Sequence, residues 1–209
     1  MKSPRFAPLS GIVFVVLLVI GFGVLGGDTP DSDAGAPKII SYYNDHQGRE
    51  IAAGIFVVLA VVFLALFVVA LRDYLRGDGG GVGGFWSTVL LVGGTASVAG
   101  FFGAVGVHAA LIDGADQHIA PAAMVALNSL DNWDFFAFVT PLAIMMLGAT
   151  GAILRGGAAL PRWLGWAALV LFIGYFAGPF GFFAFMLTGI WIIVTGIVMY
   201  QRSSVAATT

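Results

Sequence analysis

The sequence predicts an all-α fold: a single-domain, polytopic membrane helix bundle of six transmembrane helices with short external interfacial helices. Three observations carry that expectation. Hydrophobic residues make up 59% of the chain and charged residues only 10%, whereas a soluble domain is about a quarter charged. Several apolar stretches reach the roughly 20 residues that a helix needs to cross the hydrocarbon core, with no charge inside them. Lysine and arginine also concentrate in alternate loops, as expected of a chain that crosses repeatedly.

The first span is expected at about residues 9–26. Lys2 and Arg5 ahead of it resemble the start of a secretory signal, and Ala34-Gly35-Ala36 resembles a cleavage site. That site lies well past the apolar stretch, behind Asp28, Asp31 and Asp33, so the segment reads as an uncleaved span. The next three spans fall at about 51–71, 85–112 and 133–154. The last apolar stretch, Trp163 to Tyr200, is too long for one helix of roughly 20 residues. It contains Gly178-Pro179-Phe180-Gly181, where proline cannot continue a helical ladder. It therefore divides into spans at about 163–178 and 180–200, with a single kinked helix as the alternative.

With six spans and both termini cytoplasmic, Lys2, Arg5, Arg72, Arg76, Arg155, Arg162 and Arg202 lie inside, and only Lys38 and Arg49 lie outside. The acids sort oppositely. Only Asp73 and Asp78 fall inside, while Asp28, Asp31, Asp33, Asp45, Glu50, Asp113, Asp116, Asp131 and Asp134 fall outside. The expected location is the plasma membrane, with an acidic external face on or near which all three histidines lie.

Inside, Arg76 to Gly84 (RGDGGGVGG) reads as a flexible glycine-rich linker, without the lysine and Ser/Thr ending of a phosphate-binding loop. The absence of cysteine excludes disulfides, thiol catalysis and thiolate metal sites. Outside, Pro37 suits a first helical turn, and Ile39, Tyr42, Tyr43 and His46 follow at spacings of three and four. That pattern is an amphipathic helix, either a short interfacial cap with its tyrosines at headgroup depth or a lid over an outward cavity. The acidic run Asp28 to Asp33 lacks the glycine and terminal glutamate of a calcium loop.

His108 stands inside an apolar run. Ala96, Gly100 and Ala104 precede it at intervals of four, small residues that let another helix approach closely. His108 is thus expected to face a neighbouring helix near the outer end of the bundle. A polar side chain there is a functional candidate, although an imidazole also serves structurally once it finds hydrogen-bond partners. Asp113 and Asp116 read as loop carboxylates. Asp131 and Asp134 stand immediately before an apolar helix, so Asp131 is expected to cap it and Asp134 to complement its positive end. Between the two pairs, Pro121 to Leu130 is apolar but too short to span, which suits an interfacial or re-entrant helix able to roof a pocket.

Candidate ligand-binding or proton-binding residues are therefore His108, Asp113, Asp116, His118, Asp131, Asp134, Tyr42, Tyr43 and His46. No HExxH or paired ExxH spacing supports a metal, so none is assigned. There is no nucleophile elbow, Ser-Lys pair or intramembrane lysine, so any catalysis would rest on carboxylate or histidine acid–base chemistry. Thr140 and Pro141 mark an expected kink in the fourth span. Phe180, Phe182, Phe183 and Phe185 suit either an apolar cavity or lipid contact. No inverted repeat is evident, which weakens a transporter reading.

The stretches GDTPD (27–31), IISYYNDHQGREIAAGIFVV (39–58), ALRDYLR (70–76) and LPRWLGW (160–166) resemble a group of multi-pass membrane proteins of unknown function common in actinobacteria. The resemblance covers most of the chain and implies the six-span fold. It implies no activity, cofactor or catalytic residue.

Three functional classes follow. One is a bundle that binds or handles an apolar or amphipathic small molecule or lipid in an outward cavity. The second is a membrane enzyme using His108 with external carboxylates, and the third is an accessory subunit. Expected partners are membrane lipids, an apolar small molecule, and a second copy or another membrane protein, with no nucleic acid.

The topology is directly testable in a chain with no native cysteine. With Ser41→Cys and Ser203→Cys introduced separately, an impermeant thiol reagent on intact cells should label position 41 and spare position 203. The reverse pattern would invert the orientation.

Overall fold

The computed structural model describes residues 6–76, 82–156, 160–178 and 180–205, and among them there are helices and no strands. A 3-10 turn, Ala7–Leu9, leads into α1, Ser10–Leu18, which loosens into a π-helical segment, Val19–Leu25. The Gly26 amide closes that segment by donating to the Gly21 carbonyl at 2.7 Å. Among the described residues, Ala7–Leu25 is the first of five helical segments long and apolar enough to cross a membrane, and the chain is a multi-pass membrane protein.

The second helix, α2, runs unbroken from Ala36 to Arg76, 41 residues. At ~1.5 Å per residue it is about 60 Å long, twice the ~30 Å hydrocarbon core. The amphipathic segment around Tyr42 and the second span are thus one rod, because no proline follows Pro37 to break it. Its inward face repeats every seven residues: Ala36, Tyr43, Glu50, Val57, Leu64 and Leu71 are all buried.

The remaining helices are α3 (Val82–Asp116), α4 (Pro121–Trp133), α5 (Phe135–Arg155), α6 (Arg162–Gly174) and α7 (Phe180–Val205). Asp134 alone joins α4 to α5 and keeps a helical backbone (φ −66°, ψ −18°), so α4 extends α5 outward much as residues 36–50 extend the spanning part of α2. At 13 residues, α6 is about 20 Å long, shorter than the core, and turns continue it towards Gly178. The expected break is present, with Gly178 in the left-handed region (φ +60°). Tyr175 Oη donates to Thr188 Oγ1 at 2.8 Å and Trp191 Nε1 to the Leu164 carbonyl at 2.9 Å, which sets α6 and α7 antiparallel.

The segment that leads into α1 and the end of α7 meet at one end of the bundle, where the Phe6 ring stacks on Tyr200. Gly83, opening α3, lies against Gly156, just past α5. Arg72, Arg76, Arg155, Arg162 and Arg202 gather at this arginine-rich end, by their places on the helix termini. Lys2, Arg5, Asp78 and residues 77–81 of the glycine-rich linker lie outside the described residues, while Val82 to Gly84 open α3.

The closest helix contact joins α3 and α5 through glycine. A Cβ on Gly93 would strike the Met145 amide nitrogen, one on Gly100 the Ala137 carbonyl, and one on Gly148 the backbone of Leu90. Pro141 lacks the amide that would bond to the Ala137 carbonyl, and beside it Ser97 Oγ on α3 donates to the Phe138 carbonyl at 3.1 Å. The small-residue line differs from expectation at one end. Gly100 and Ala104 face neighbouring helices, but Ala96 is exposed. Intervals of four overshoot the 3.6-residue turn by ~40° each, so a line drawn through three of them leaves the interface.

Gly148→Ala should therefore destabilise the bundle by about 1–3 kcal/mol through overpacking. Gly106→Ala, where a Cβ meets nothing within 4 Å, should be neutral or slightly stabilising. Thermal unfolding in one detergent distinguishes the two.

Candidate functional site

At the end of the bundle opposite Arg72, Arg76, Arg155, Arg162 and Arg202, the inward face of α2 reaches Glu50, a carboxylate only 1% exposed. Burial of a charge is tolerated only with partners, and three surround it. Tyr42 Oη donates to Glu50 Oε1 at 2.8 Å, and Arg49 Nη2 donates to the same oxygen at 3.0 Å and to Tyr42 Oη at 2.8 Å. His108 Nε2 from α3 stands 3.3 Å from Glu50 Oε2. Gly27 leaves the room this needs, since a Cβ there would collide with the Arg49 guanidinium and the Tyr42 hydroxyl.

The other face of His108 is also engaged. Its Nδ1 lies 3.3 Å from Asp131 Oδ1 and 3.5 Å from Oδ2, and the Tyr43 ring meets the imidazole edge-on at 5.6 Å between centroids. Ionised carboxylates only accept, so the ring satisfies both acids by donating from both nitrogens, in its cationic form. One imidazole thereby ties α2, α3 and α4 together, with its side chain 20% exposed and that of Asp131 11%.

What holds Asp131 in place is the underside of α4. Met124 packs with Ile39, Tyr43, Leu111 and Ala115 in a small apolar cluster beneath it. Asn128 Nδ2 donates to the Asp31 carbonyl at 2.8 Å and Asn132 Nδ2 to the Pro30 carbonyl at 3.2 Å. The loop after α1 is thus stitched to the same helix that carries Asp131.

Beside this cluster is a cavity of about 250 Å³. Glu50, His108, Asp131, Asp134 and Thr29 line its polar part. Ala53, Val57, Ala104, Phe135 and Phe138 line its apolar part, and the π-helical segment contributes Gly21 and Phe22. Val57 lies two turns below Glu50 on α2, about 10 Å, so the lining passes from charged to hydrocarbon with depth. Asp134 faces this space at the N-cap of α5 and makes no side-chain capping bond.

Of the sequence candidates, His108, Asp131, Tyr42 and Tyr43 converge here, and Asp134 lines the cavity. The capping role expected of Asp131 is overturned, because α4 continues to Trp133 and carries Asp131 on its inner face. His46 stacks on the Tyr42 ring (4.6 Å), and its Nδ1 lies 2.9 Å from the Tyr42 carbonyl, one step outside the cluster. The other three stay apart. Asp113 accepts from Gln117 at 2.8 Å, and His118 turns back on the Asp116 carbonyl at 2.7 Å with φ +56°. Among the described residues, no group of three or more His, Asp or Glu side chains is placed to hold a metal ion. Glu50 and Arg49, absent from the sequence candidates, complete the site.

Comparison with family models, with curated proteins and with solved structures gives no match. The chemistry of the cavity is the ground for a functional reading.

His108→Leu should cost about 1–3 kcal/mol, because it leaves Asp131 and one oxygen of Glu50 without their buried partner. His108→Gln, whose amide still donates to one of them, should lose less. Equal losses in thermal unfolding would show that the glutamine amide retains neither of the imidazole's hydrogen bonds.

Proposed function

We propose that the protein binds or handles an amphipathic small molecule or lipid in this cavity, which opens on the external face of the plasma membrane with both chain termini in the cytoplasm. The single observation that carries the proposal is the gradient of the cavity lining, from Glu50, His108, Asp131 and Asp134 to Val57, Ala104 and Phe138. A pocket that is mostly apolar with a few converging polar groups is the general form of a small-molecule site. Glu50, Asp131 and Asp134 make the polar part rich in acceptor oxygens, set against the donors of one imidazole and the Arg49 guanidinium. It suits a head that carries a positive charge or donates hydrogen bonds, with the tail lying against the hydrocarbon lining.

The clustered carboxylates also favour a second reading, acid–base catalysis at the external face. Both nitrogens of His108 are taken by Glu50 and Asp131, so the imidazole offers no free nitrogen to a substrate. The acid or base would then be Asp134, which lines the cavity. A cavity that reaches His108 disfavours a purely structural subunit.

Gly54 lines the cavity on α2, and a Cβ there has only the Val105 side chain within 4 Å, at 3.9 Å. Gly54→Leu should fill the cavity without disturbing the helix contacts. In lipid nanodiscs, binding of dodecyltrimethylammonium by native mass spectrometry should fall roughly tenfold or more, ~1.4 kcal/mol. Undiminished binding by a folded Gly54→Leu protein would place the ligand elsewhere.

A further inference from the structure

A second cavity, about 270 Å³, lies on the other side of the start of α5, against the turn between α6 and α7. Phe136, Val139, Ala143 and Phe182 contribute to its apolar lining. Phe135 lines both cavities. Its ring packs at 5.3 Å from Phe138, which belongs to the first cavity, and at 6.4 Å from Phe182, which belongs to the second. The three rings form a row across the wall between the two spaces, with Phe135 in the middle.

We infer that Phe135 is the specificity-determining partition of the site, fixing how long an apolar tail the first cavity accepts. The inference rests on the proposed reading of that cavity as an amphiphile site. The polar part beside Glu50, His108 and Asp131 fixes where a head sits, and a tail that runs along the apolar lining towards the second cavity meets the Phe135 ring. Beyond it lies the apolar lining of the second cavity. While each added methylene is buried, affinity rises about fourfold per methylene. Once the tail reaches the partition, further methylenes find no apolar space and affinity levels off.

The probes are alkyltrimethylammonium ions from hexyl to hexadecyl, titrated against the full chain in lipid nanodiscs by native mass spectrometry. The wild type should show rising affinity and then a plateau. Phe135→Ala should move the plateau to longer tails by several methylenes, and Phe135→Trp should move it to shorter tails. Phe136→Ala, altering a residue that lines only the second cavity, should leave the wild-type plateau in place. Phe135 belongs to an aromatic cluster with Phe138 and Phe185, so thermal unfolding of each variant accompanies the titration. The Trp variant keeps the test intact if the Ala variant fails to fold. A plateau at the same tail length in wild type and the folded Phe135 variants overturns the partition and leaves the amphiphile site standing. A wild type that binds no member of the series removes the site itself.

Discussion

The acidic end of this bundle is organised by the need to partner one carboxylate that is held out of water. Glu50 is buried at the mouth of the spanning part of α2, and an isolated charge there would be expelled or neutralised. Tyr42 and Arg49 answer one oxygen from the same helix, and His108 answers the other from α3. His108 then needs a second acceptor, Asp131, which fixes the height and rotation of α4. Through Asn128 and Asn132, α4 in turn fixes the loop that descends from the first helix. Each step follows from the donor and acceptor requirement left by the one before, which is how a polar network specifies one arrangement of helices that apolar packing alone would allow to slide.

The fold was largely legible because its signals are long and physical. A chain with so little charge, broken at proline and glycine, has few alternatives to a bundle of apolar helices. The site was legible in part. His108 announced itself as an imidazole in an apolar run. Glu50 carried a signal that was available and unused: it is the one charge in the seven-residue series that includes Tyr43, Val57, Leu64 and Leu71, all buried. Asp113 and Asp116 could have been set aside by the same reasoning. Since α3 continues to Asp116, Leu111, Ile112 and Ala115 turn inward and the two aspartates turn to solvent, but only if the helix is carried past the end of its apolar run. The Asp131 contact with His108 was beyond reach, because it depends on where α4 ends, and helix ends are the least determined feature of a sequence.

The first helix shows how the cavity comes to exist beside so tight a pairing as that of α3 and α5. Nine residues of regular helix give way to the π-helical segment Val19–Leu25, a wider turn that is frequent at functional sites. Gly21 lets it rest on α2, where a Cβ would press on Val57 at 2.9 Å and on the Ala53 carbonyl at 3.1 Å. The same turn places Gly21 and Phe22 in the wall of the cavity. The opening is therefore part of the helix geometry and is not a packing fault between otherwise regular rods.

Its position relative to the network decides what the cavity suits. A structural salt-bridge cluster has no need of empty volume, and filling that space with larger apolar side chains would make the bundle more stable. Here about 250 Å³ stays open, with Gly54, Ala53 and Ala104 in the lining where larger residues would close it. The network holds its imidazole at both nitrogens, so the charged groups are held rigidly at one part of the space while hydrocarbon lines the rest. A rigid polar anchor with an apolar trough beside it discriminates by head chemistry and by tail length separately. On the proposed reading, head recognition belongs to the network of α2, α3 and α4, and tail recognition to the aromatic row that begins at Phe138 and runs through Phe135.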